Sequence, residues 1–598
     1  MDRPVNRRPV RIGGASGFWG DSSTGPVQLV RSGGVDYLVF DYLAELTMSI
    51  LASARLKKPD EGHATDFVAV ALRAVLRQAM EQRVRIVSNA GGVNPRGCAA
   101  AVRALADELG LAVRVAVVEG DDVLPLAGAM RAAGVTDLVT GRLLPDRLVT
   151  ANAYLGALPI ASALREGAEV VITGRCVDSA VTLGVLLHEF GWSPEDHDRL
   201  AAGSLAGHII ECGCQATGGL HTDWERVPDW ANMGYPIVEC REDGSFVVTK
   251  PPGTGGLVTP ATVGEQLLYE IGDPANYLLP DVTCDFRSVR LEQQGVDRVL
   301  VAGARGRPPT DTYKVSATAQ AGFKVSGQLT IVGIDAPAKA RRTGEALLER
   351  GARLLREHGL ADFAATNIEL LGTESAYGPH ARPLATREVV LRVTVTHADR
   401  RALEMFSREF AAPGTSWSPG TTGSGGRPAV SPVLRQVAWL VPKADVTATV
   451  TLDDRTWAVA LPPAQSSVPP EALAPTAGAV PAGPRRTVPL VAVALSRSGD
   501  KGDLSNIGLI ARHPALLPVL REQVTHARVK DWLGHLVLGE VLRYELPGIH
   551  ALNFVCERAL GGGGMASLRN DALGKGMAQM LLDLPVEVPE SLLPHLRS

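Results

Sequence analysis

The sequence lacks the features that mark several classes of protein. Its seven cysteines are an odd number and few for 598 residues, which excludes the disulfide framework of a small secreted domain. Neither sign of charge dominates, because 60 Lys and Arg residues stand against 64 Asp and Glu residues, so a general attraction to nucleic acid or to an anionic membrane is excluded. No apolar run approaches the ~20 residues of a membrane helix, and the basic start lacks the apolar core of a signal peptide. We therefore expect a large cytoplasmic globular protein.

The familiar catalytic signatures are also missing. The sequence contains no G-x-S-x-G nucleophile elbow, no H-E-x-x-H zinc motif and no kinase signature. Its late glycine-rich loops do not match the phosphate-binding pattern G-x-x-x-x-G-K-[ST]. Ordinary hydrolase, zinc-protease and phosphotransfer chemistry therefore has no support in the sequence.

What is present is a globular α/β pattern. The hydrophobic fraction of 45% suits a folded protein, and the length exceeds the roughly 250–300 residues of a single core. Short β-branched runs alternate with helical patterns, such as residues 66–82 and 96–109, which predicts a Rossmann-like parallel sheet with helices on both faces. A closed (β/α) barrel has the same local pattern and stays open. The candidate strands are residues 10–14, 37–41, 85–89, 113–119 and 170–174.

Composition divides the rest of the chain. The parallel domain is predicted over residues 1–280, with a Gly/Pro/Trp-rich irregular insertion or lid over about 195–280. Mixed strand and helix patterns predict an α+β part over 281–460, and Pro and Ala predict an extended linker over 461–486. Residues 487–598 predict a small α+β sandwich whose last helix covers 570–583.

Small and polar residues follow each of the five predicted strands. In open parallel sheets, ligands bind outside the carboxyl ends of the strands. All five groups should therefore lie at one edge of the sheet and form one ligand site. The groups are GGASGFWGDSSTG (13–25), Asp41 with Tyr42 and Glu45, SNAGGVNP (88–95), EGDD (119–122) and TGRCVDSA (173–180).

The glycine-rich segment after the first strand has three interpretations. Its glycines allow a tight turn with positive φ, or they expose backbone N–H groups to a polar group of a substrate. A nicotinamide or flavin cofactor is the third interpretation, but the segment is not G-x-G-x-x-G, and we predict no such cofactor. The candidate substrate-binding residues here are Gly14, Ser16, Gly17 and Asp21, of which Asp21 is alternatively a helix cap.

The third and fifth strand ends supply the candidate catalytic groups. Asn89, with backbone N–H groups near Gly91 and Gly92, is predicted to hold a developing oxyanion. Asn94 is predicted to bind substrate, although both asparagines are alternatively turn residues.

Charged candidates accompany them. Arg175 is predicted to bind a carboxylate or phosphate, and Asp178 or Asp41 to move a proton. Asp178 is alternatively the cap of the helix over 180–190, and Cys176 is expected to be buried rather than nucleophilic.

Further candidates lie outside the strand ends. His208, Glu211, Cys212 and Cys214 have ligand spacing but no second paired cluster, so we predict no metal site while leaving this one open. Arg427 in one late glycine-rich loop is predicted to bind an anion. Arg497, Asp500 and Lys501 in another are predicted to form a docking surface or part of a composite substrate site, with solvated turns as the alternative.

Longer strings resemble the acyclic terpene utilisation protein AtuA family. They extend in order over nearly the whole chain: SGFWGDS (16–22), VDYLVFDYLAELTMSILA (35–52), IVSNAGGVNP (86–95), TANAYLGA (150–157), VVITGRCVDSA (170–180), HEFGW (188–192), LLYEIGDP (267–274), TGSGGRP (422–428) and RSGDKGDLSNIG (497–508). The resemblance implies an AtuA domain to about residue 450 and a ferredoxin-like C-terminal domain. It also implies a place in citronellol and geraniol breakdown, a pathway of branched acyl-CoA thioesters. It carries over no catalytic residues.

Two functional hypotheses follow. The first is an acid–base enzyme of terpenoid or branched acyl-CoA catabolism, of lyase, hydratase or CoA-transfer type, without a redox cofactor and as a homo-oligomer. Its substrate would be a small molecule, with a CoA thioester among the candidates. The second is a non-catalytic binding or assembly subunit whose residues 487–598 dock a catabolic partner enzyme.

Overall fold

A computed structural model describes residues 8–32, 34–382, 385–463, 468–473 and 478–597. Its strands are β1 (Val10–Gly14), β2 (Tyr37–Phe40), β3 (Arg85–Ser88), β4 (Val115–Glu119), β5 (Thr150–Ala153), β6 (Val170–Thr173), β7 (Ile237–Cys240), β8 (Phe246–Thr249), β9 (Tyr277–Leu278), β10 (Thr283–Asp285), β11 (Arg290–Gly295), β12 (Arg298–Ala302), β13 (Arg305–Arg307), β14 (Thr312–Val332), β15 (Ala365–Leu371), β16 (Glu388–His397), β17 (Thr421–Ser424), β18 (Val430–Pro442), β19 (Thr449–Leu452), β20 (Arg455–Ala458), β21 (Arg485–Pro489), β22 (Ala494–Lys501), β23 (Leu504–Ala511), β24 (Val541–Leu546), β25 (Ala551–Cys556) and β26 (Pro585–Pro589).

The α-helices are distributed over the same parts of the chain. They are α1 (Thr24–Arg31), α2 (Glu45–Lys57), α3 (Arg73–Glu81), α4 (Pro95–Glu108), α5 (Ala127–Ala132), α6 (Leu158–Arg165), α7 (Ala180–Phe190), α8 (His197–Ile210), α9 (Pro260–Leu268), α10 (Ala336–Glu357), α11 (Arg400–Arg408), α12 (Pro413–Ser416), α13 (Leu517–Gln523), α14 (His526–Trp532) and α15 (Met577–Leu581). Within the described ranges, no helix combines the length and the apolar character that crossing a membrane requires.

The largest sheet has eleven strands in the order β11-β12-β8-β7-β1-β2-β3-β6-β4-β19-β20. The five predicted strands form its centre, where β1, β2, β3, β6 and β4 are parallel to one another. Antiparallel neighbours, β7 and β19, flank this centre on either side. Because the strand order runs from one edge strand to another, the sheet is open, and the barrel alternative is wrong.

Helices cover both faces of the parallel centre. Residues that alternate along a strand point to opposite faces, so Val39 of β2 packs with α6, α7 and α8 while Leu38 and Phe40 pack with α1, α3 and α4. Because helices cover both faces of the sheet, these strands are apolar along nearly their whole length. The predicted mixed α/β class is confirmed.

The regions on either side of residue 280 share this sheet. The predicted insertion contains α8, α9, β7 and β8 rather than only irregular chain, and β7 and β8 extend the sheet. From the predicted middle part, β11, β12, β19 and β20 extend it further. The middle part also contributes to a three-stranded sheet, β13-β10-β9, and builds most of a six-stranded antiparallel sheet centred on the long strand β14, against which α10 and α11 pack. The sixth strand of that sheet is β5, from the predicted parallel domain.

The C-terminal unit follows the predicted linker, whose described residues up to 484 contain no helix or strand. Its antiparallel sheet has the order β22-β23-β25-β24, and α13, α14 and α15 contribute to a core of its own. The last helix is shorter than predicted and begins at Met577. The Asp571 carboxylate accepts hydrogen bonds from the N–H groups of Lys575 and Gly576 at 2.9 and 2.8 Å, which holds the preceding residues in a turn.

Candidate active site

Four predicted catalytic residues meet at the carboxyl edge of the parallel strands. Asn89, directly after β3, donates from Nδ2 to Oδ1 of Asp41, directly after β2, at 2.6 Å. Arg175, after β6, lies 3.1 Å from Asp178 through Nη1 and Oδ1. The negative charge of Asp178 acts on Asp41, so the two pairs share one electrostatic environment. Parallel strand ends bring together residues that are far apart in sequence.

Asp41 is a buried carboxyl group that favours its protonated form. Burial raises its pKa well above the ordinary value, and the carboxylates of Asp178 and Glu211 raise it further; Asn89 and Arg175 oppose this. The backbone N–H of Leu43 also donates to Oδ1 of Asp41, at 3.2 Å. Burial therefore favours the protonated form of Asp41, and in that form the carboxyl group can donate a proton.

Arg175 is held on several sides, and it holds Asp178. Its Nη1 donates to the carbonyl oxygen of Leu43 at 2.7 Å, its Nη2 donates to the hydroxyl of Tyr154 at 3.1 Å, and its guanidinium lies 4.3 Å from the centre of the Tyr154 ring. Helix α7 has Ser179 at its N-cap, so Asp178 is a partner of Arg175 and not the helix cap. The Asp178 side chain is one-quarter exposed, which keeps this carboxylate accessible.

Asp121 is a site residue that the sequence reasoning did not select, although it lies in the EGDD group after β4. Its Oδ2 accepts from the N–H of Arg175 at 2.9 Å and from Nδ2 of Asn152 at 2.8 Å. Burial raises its pKa from 3.8 to about 6 despite these hydrogen bonds. Asp121 thus fixes the backbone that carries Arg175.

We expect Asp121→Asn to remove part of the pH dependence of stability. The folded-state pKa is raised, so the stability from the protonated carboxyl is present below pH 3.8 and is lost as pH rises through about 6. A shift of this size corresponds to roughly 3 kcal/mol between the two protonation states. The Tm of the wild type should therefore fall relative to that of Asp121→Asn between pH 4 and pH 7, measured by differential scanning fluorimetry. Parallel Tm curves for the two proteins would contradict this.

His208 and Glu211 form a second pair beside Asp41. His208 Nδ1 lies 2.9 Å from Oε1 of Glu211, and its Nε2 lies 3.2 Å from the carbonyl oxygen of Leu267. Burial alone would lower the pKa of His208, but the Glu211 carboxylate outweighs it, so the pKa is raised. A doubly donating imidazolium satisfies both contacts. Among the described residues, no three His, Cys, Asp or Glu side chains are arranged to hold a metal ion.

The neighbouring cysteines are protonated thiols. Burial raises the pKa of Cys176 to about 12, as expected for a buried side chain, and burial raises that of Cys214 to about 12. Burial raises the pKa of the Cys212 thiol well above its ordinary value, and the surrounding carboxylates raise it further, with Glu211 contributing the most among them. A thiolate nucleophile is therefore not favoured at any of these positions.

The glycine-rich segment after β1 is a packed structural loop and not a cradle of free N–H groups. The N–H of Gly14 donates to the Pro236 carbonyl oxygen, and that of Gly17 donates to Asp21. Neither glycine has positive φ; a Cβ atom on Gly14 would lie 2.3 Å from the Ile210 carbonyl oxygen, so close packing is what requires glycine.

The side chains of that loop are engaged as well. Asp21 accepts from the hydroxyl of Tyr235 at 2.9 Å and is not a helix cap, since Ser23 occupies the N-cap of α1. Ser16 donates to the backbone oxygen of Asp41 at 3.1 Å. These contacts make direct substrate binding by Gly14, Ser16, Gly17 and Asp21 unsupported.

The predicted oxyanion site after β3 is also occupied by internal contacts. Asn89 accepts from the N–H of Tyr42 at 2.8 Å while donating to Asp41, so it positions Asp41. The N–H of Gly92 donates to the Asn89 carbonyl oxygen, and a Cβ atom on Gly91 would lie 2.4 Å from the Thr173 carbonyl oxygen. Asn94 caps α4 by accepting from the N–H of Gly97 at 3.1 Å.

Arg427, which was predicted to bind an anion, and Arg497, which was predicted to belong to a docking surface or composite substrate site, both make contacts within the protein. Arg427 donates to Oγ of Ser407 at 2.9 Å and to the carbonyl oxygen of Glu404 at 2.8 Å, on helix α11. Arg497 is buried and lies 2.9 Å from the fully buried carboxylate of Glu265, from α9. It therefore joins the C-terminal unit to the first sheet's domain.

The C-terminal unit nevertheless reaches the site. Lys501 Nζ lies 3.0 Å from Oε2 of Glu270, directly after α9, and its charge acts on Glu211 and His208. Lys575 donates to the hydroxyl of Tyr269 and lies 3.9 Å from Asp500. Asp500 and Lys501 thus lie at the boundary with the AtuA domain, and a composite site stays a prediction; Lys575 lies there too and was not selected from the sequence.

Comparison with known proteins identifies the family. The sequence model of the family described as acyclic terpene utilisation family protein AtuA matches residues 10–452. The sequence model of the AtuA ferredoxin-like domain matches residues 488–587. The chain belongs to the AtuA family. No curated protein and no solved structure matches it.

Two of the recognised AtuA strings interlock in three dimensions. Asn506, from RSGDKGDLSNIG, accepts from the N–H of Glu270 at 2.9 Å and donates to the Leu268 carbonyl oxygen at 2.6 Å, both in LLYEIGDP. A Cβ atom on Gly508 would lie 2.6 Å from that of Leu268, and one on Gly499 would lie 2.6 Å from the Tyr269 ring. These glycines let the ferredoxin-like domain approach the AtuA domain closely enough to present its lysines to the site.

An apolar cavity of about 370 Å³ lies beside helices α6, α7 and α8, which contribute Leu158, Leu187 and Leu200 to its lining. Several prolines line it as well, and its polar lining consists of Asp281, Thr310, Asp311 and Lys443. Its size falls within the roughly 300–1,000 Å³ of small-molecule pockets.

Proposed function

We propose that this AtuA-family protein is an acid–base enzyme of acyclic terpene or branched-chain acyl catabolism, of hydratase or lyase type, that needs no redox cofactor. We further propose that its sheet is used as in Rossmann-like proteins, with the ligand at the carboxyl edge. The observation that carries the proposal is the pairing of a buried acid, Asp41, with the accessible carboxylate Asp178. Two carboxyl groups in contrasting environments are a recurrent basis for acid–base catalysis.

The chemistry follows from these two groups. In the elimination direction, the Asp178 carboxylate takes the proton from the carbon next to the acyl carbonyl, and that C–H bond breaks. The Asp41 carboxylic acid gives its proton to the hydroxyl on the next carbon, so the C–O bond breaks, a C=C bond forms and water leaves. Hydration is the reverse. Arg175 positions Asp178, and Asn89 positions Asp41.

The substrate that we propose is a branched acyl thioester of CoA. The cavity lined by Leu158, Leu187 and Leu200 is proposed to take the hydrocarbon chain, since its lining is largely aliphatic. A cytoplasmic location and a homo-oligomeric state stay predictions.

The experiment follows hydrogen exchange and water addition. The full-length protein is incubated in D₂O with the CoA thioesters of geranic and citronellic acids, and the acyl group is analysed by mass spectrometry for deuterium or added water. We expect Asp178→Asn to slow the reaction by about 10²–10⁴-fold, the usual contribution of a general base. Asp454→Asn, at an exposed position, is the matched control and should react like the wild type. An Asp178→Asn variant with the wild-type rate would refute the proposal.

The alternative of an assembly subunit has less support. It requires residues 487–598 to dock another enzyme, whereas the β22–β23 hairpin of that domain is packed on Leu268–Glu270 of its own chain. A pull-down with and without residues 487–598 distinguishes the two hypotheses. Recovery of a catabolic enzyme only with the full chain, together with no exchange of any thioester, would favour assembly.

A further inference from the structure

Lys575 enters the site from the ferredoxin-like domain on a fixed turn. The Asp571 carboxylate accepts from the backbone N–H of Lys575 itself, at 2.9 Å, so the backbone at this position is held in place. The side chain crosses the domain boundary, and its Nζ lies 4.4 Å from the centre of the Tyr269 ring of the AtuA domain. The ammonium group is thus placed by both domains.

The charge of Lys575 is poorly compensated within the described part of the chain. Its one hydrogen bond there goes to the neutral hydroxyl of Tyr269. The nearest carboxylate oxygens, of Glu270 and Asp500, lie at 3.8 and 3.9 Å, beyond hydrogen-bond distance. Burial lowers the pKa of Lys575. Two of its three N–H donors therefore remain available to an anion.

Cys212 connects Lys575 to the acid–base groups. Its thiol lies close enough to Lys575 to affect the pKa of the lysine, and close enough to Asp41 and Asp178 for their charges to affect its own pKa. Lys575 and the two carboxyl groups therefore share Cys212 as a common neighbour.

We propose that Lys575 binds an anionic group of the substrate, a carboxylate or a phosphate, and that the ferredoxin-like domain in this way completes the active site. The inference rests on the proposed function for the position of the reacting carbon. The two sources of such an anion are a free carboxylate on the acyl chain, separate from the thioester carbonyl, and the phosphates of CoA. An ammonium that is partly desolvated and lacks a close carboxylate gains charge-assisted hydrogen bonds from either.

The test measures binding to the full-length protein by isothermal titration calorimetry, with geranate as a carboxylate probe without CoA and with CoA as a phosphate probe without the acyl group. For Lys575→Met we expect the Kd of one probe to rise about 10- to 100-fold, the loss of a charged hydrogen bond. The affected probe tells whether the anion is a carboxylate or a phosphate. Lys575→Arg keeps the charge and should restore at least part of the affinity, and Lys57→Met, at an exposed lysine, should match the wild type.

A second measurement does not depend on any variant. The Kd of the affected probe for the wild type should rise with ionic strength, because salt screens a partly exposed charge. The proposal is overturned if neither probe binds the wild type, if Lys575→Met binds both with unchanged Kd, or if wild-type binding is independent of salt. Exchange in D₂O that depends on Asp178 but shows an unchanged KM in Lys575→Met would overturn this inference and leave the proposed function standing. If the wild type exchanges hydrogen with no thioester while Lys575→Met still weakens the binding of one probe, the proposed function is overturned and the anion site at Lys575 stands.

Discussion

Arg497→Ala is expected to destabilise the protein by about 3–5 kcal/mol, because it leaves a buried carboxylate without its partner. The partner is Glu265, whose side chain is fully buried. Burial raises the pKa of Glu265, but His221, Arg497 and Thr222 outweigh it, so the pKa is lowered and the carboxylate is ionised. Arg497 also donates to the Gly219 carbonyl oxygen at 3.0 Å and to the side-chain oxygen of Gln215, so its loss breaks three contacts between the domains. Thermal unfolding of the full chain measures the effect.

The matched control is Arg353→Ala. Arg353 lies 3.1 Å from Glu349 on the surface of α10, with its side chain 63% exposed. Exposed pairs of this kind contribute about 0–1 kcal/mol, so the Tm should barely change. Equal losses of Tm in the two variants would show that the Arg497 contact does not stabilise the domain interface.

Asp41→Asn is expected to reduce turnover by about 10²–10⁴-fold, the usual contribution of a general acid. Asparagine keeps an oxygen that can accept from the Leu43 N–H, but it cannot donate the proton. The raised pKa also gives the direction of the pH profile, since Asp41 acts as an acid below its pKa and the wild-type rate should fall as pH rises through it. The measurements are the thioester reaction in D₂O and its pH dependence.

The fold of the variant is checked by its Tm. A neutral amide replaces a buried acid that already favours its neutral form, so the Tm should stay at or above the wild-type value. Turnover within tenfold of the wild type, in a folded Asp41→Asn variant, would exclude Asp41 as the proton donor.

Several parts of the site could be predicted from the chain alone. Strands that are apolar along their whole length indicate burial on both faces and hence a parallel sheet, and this places Asp41, Asn89 and Arg175 at one edge. The helix over 180–190 was also predictable, but whether Asp178 caps it or pairs with Arg175 was not. The two alternatives differ only in whether the helix has its N-cap at residue 178 or at residue 179. In the structure the N-cap residue is Ser179.

Other parts could not be predicted because they depend on what lies opposite in space. Gly14 and Gly17 lie in a segment with the composition of a ligand-binding loop. They are glycines because a side chain at either position would collide with the backbone of Ile210 or Gly213. Arg497 and Lys575 lie in similarly polar, glycine-rich segments, yet Arg497 meets a buried carboxylate and Lys575 does not. No local pattern separates these cases.

By itself, the sequence determined the α/β class, the five parallel strands at the centre of the first sheet and the family to which the strings belong. These follow from hydrophobic periodicity and composition, which act over a few neighbouring residues. Only the tertiary structure decided which polar groups are satisfied internally and which face a ligand. That distinction depends on burial and on partners far apart in the chain, such as Asn506 with Glu270 across the domain boundary.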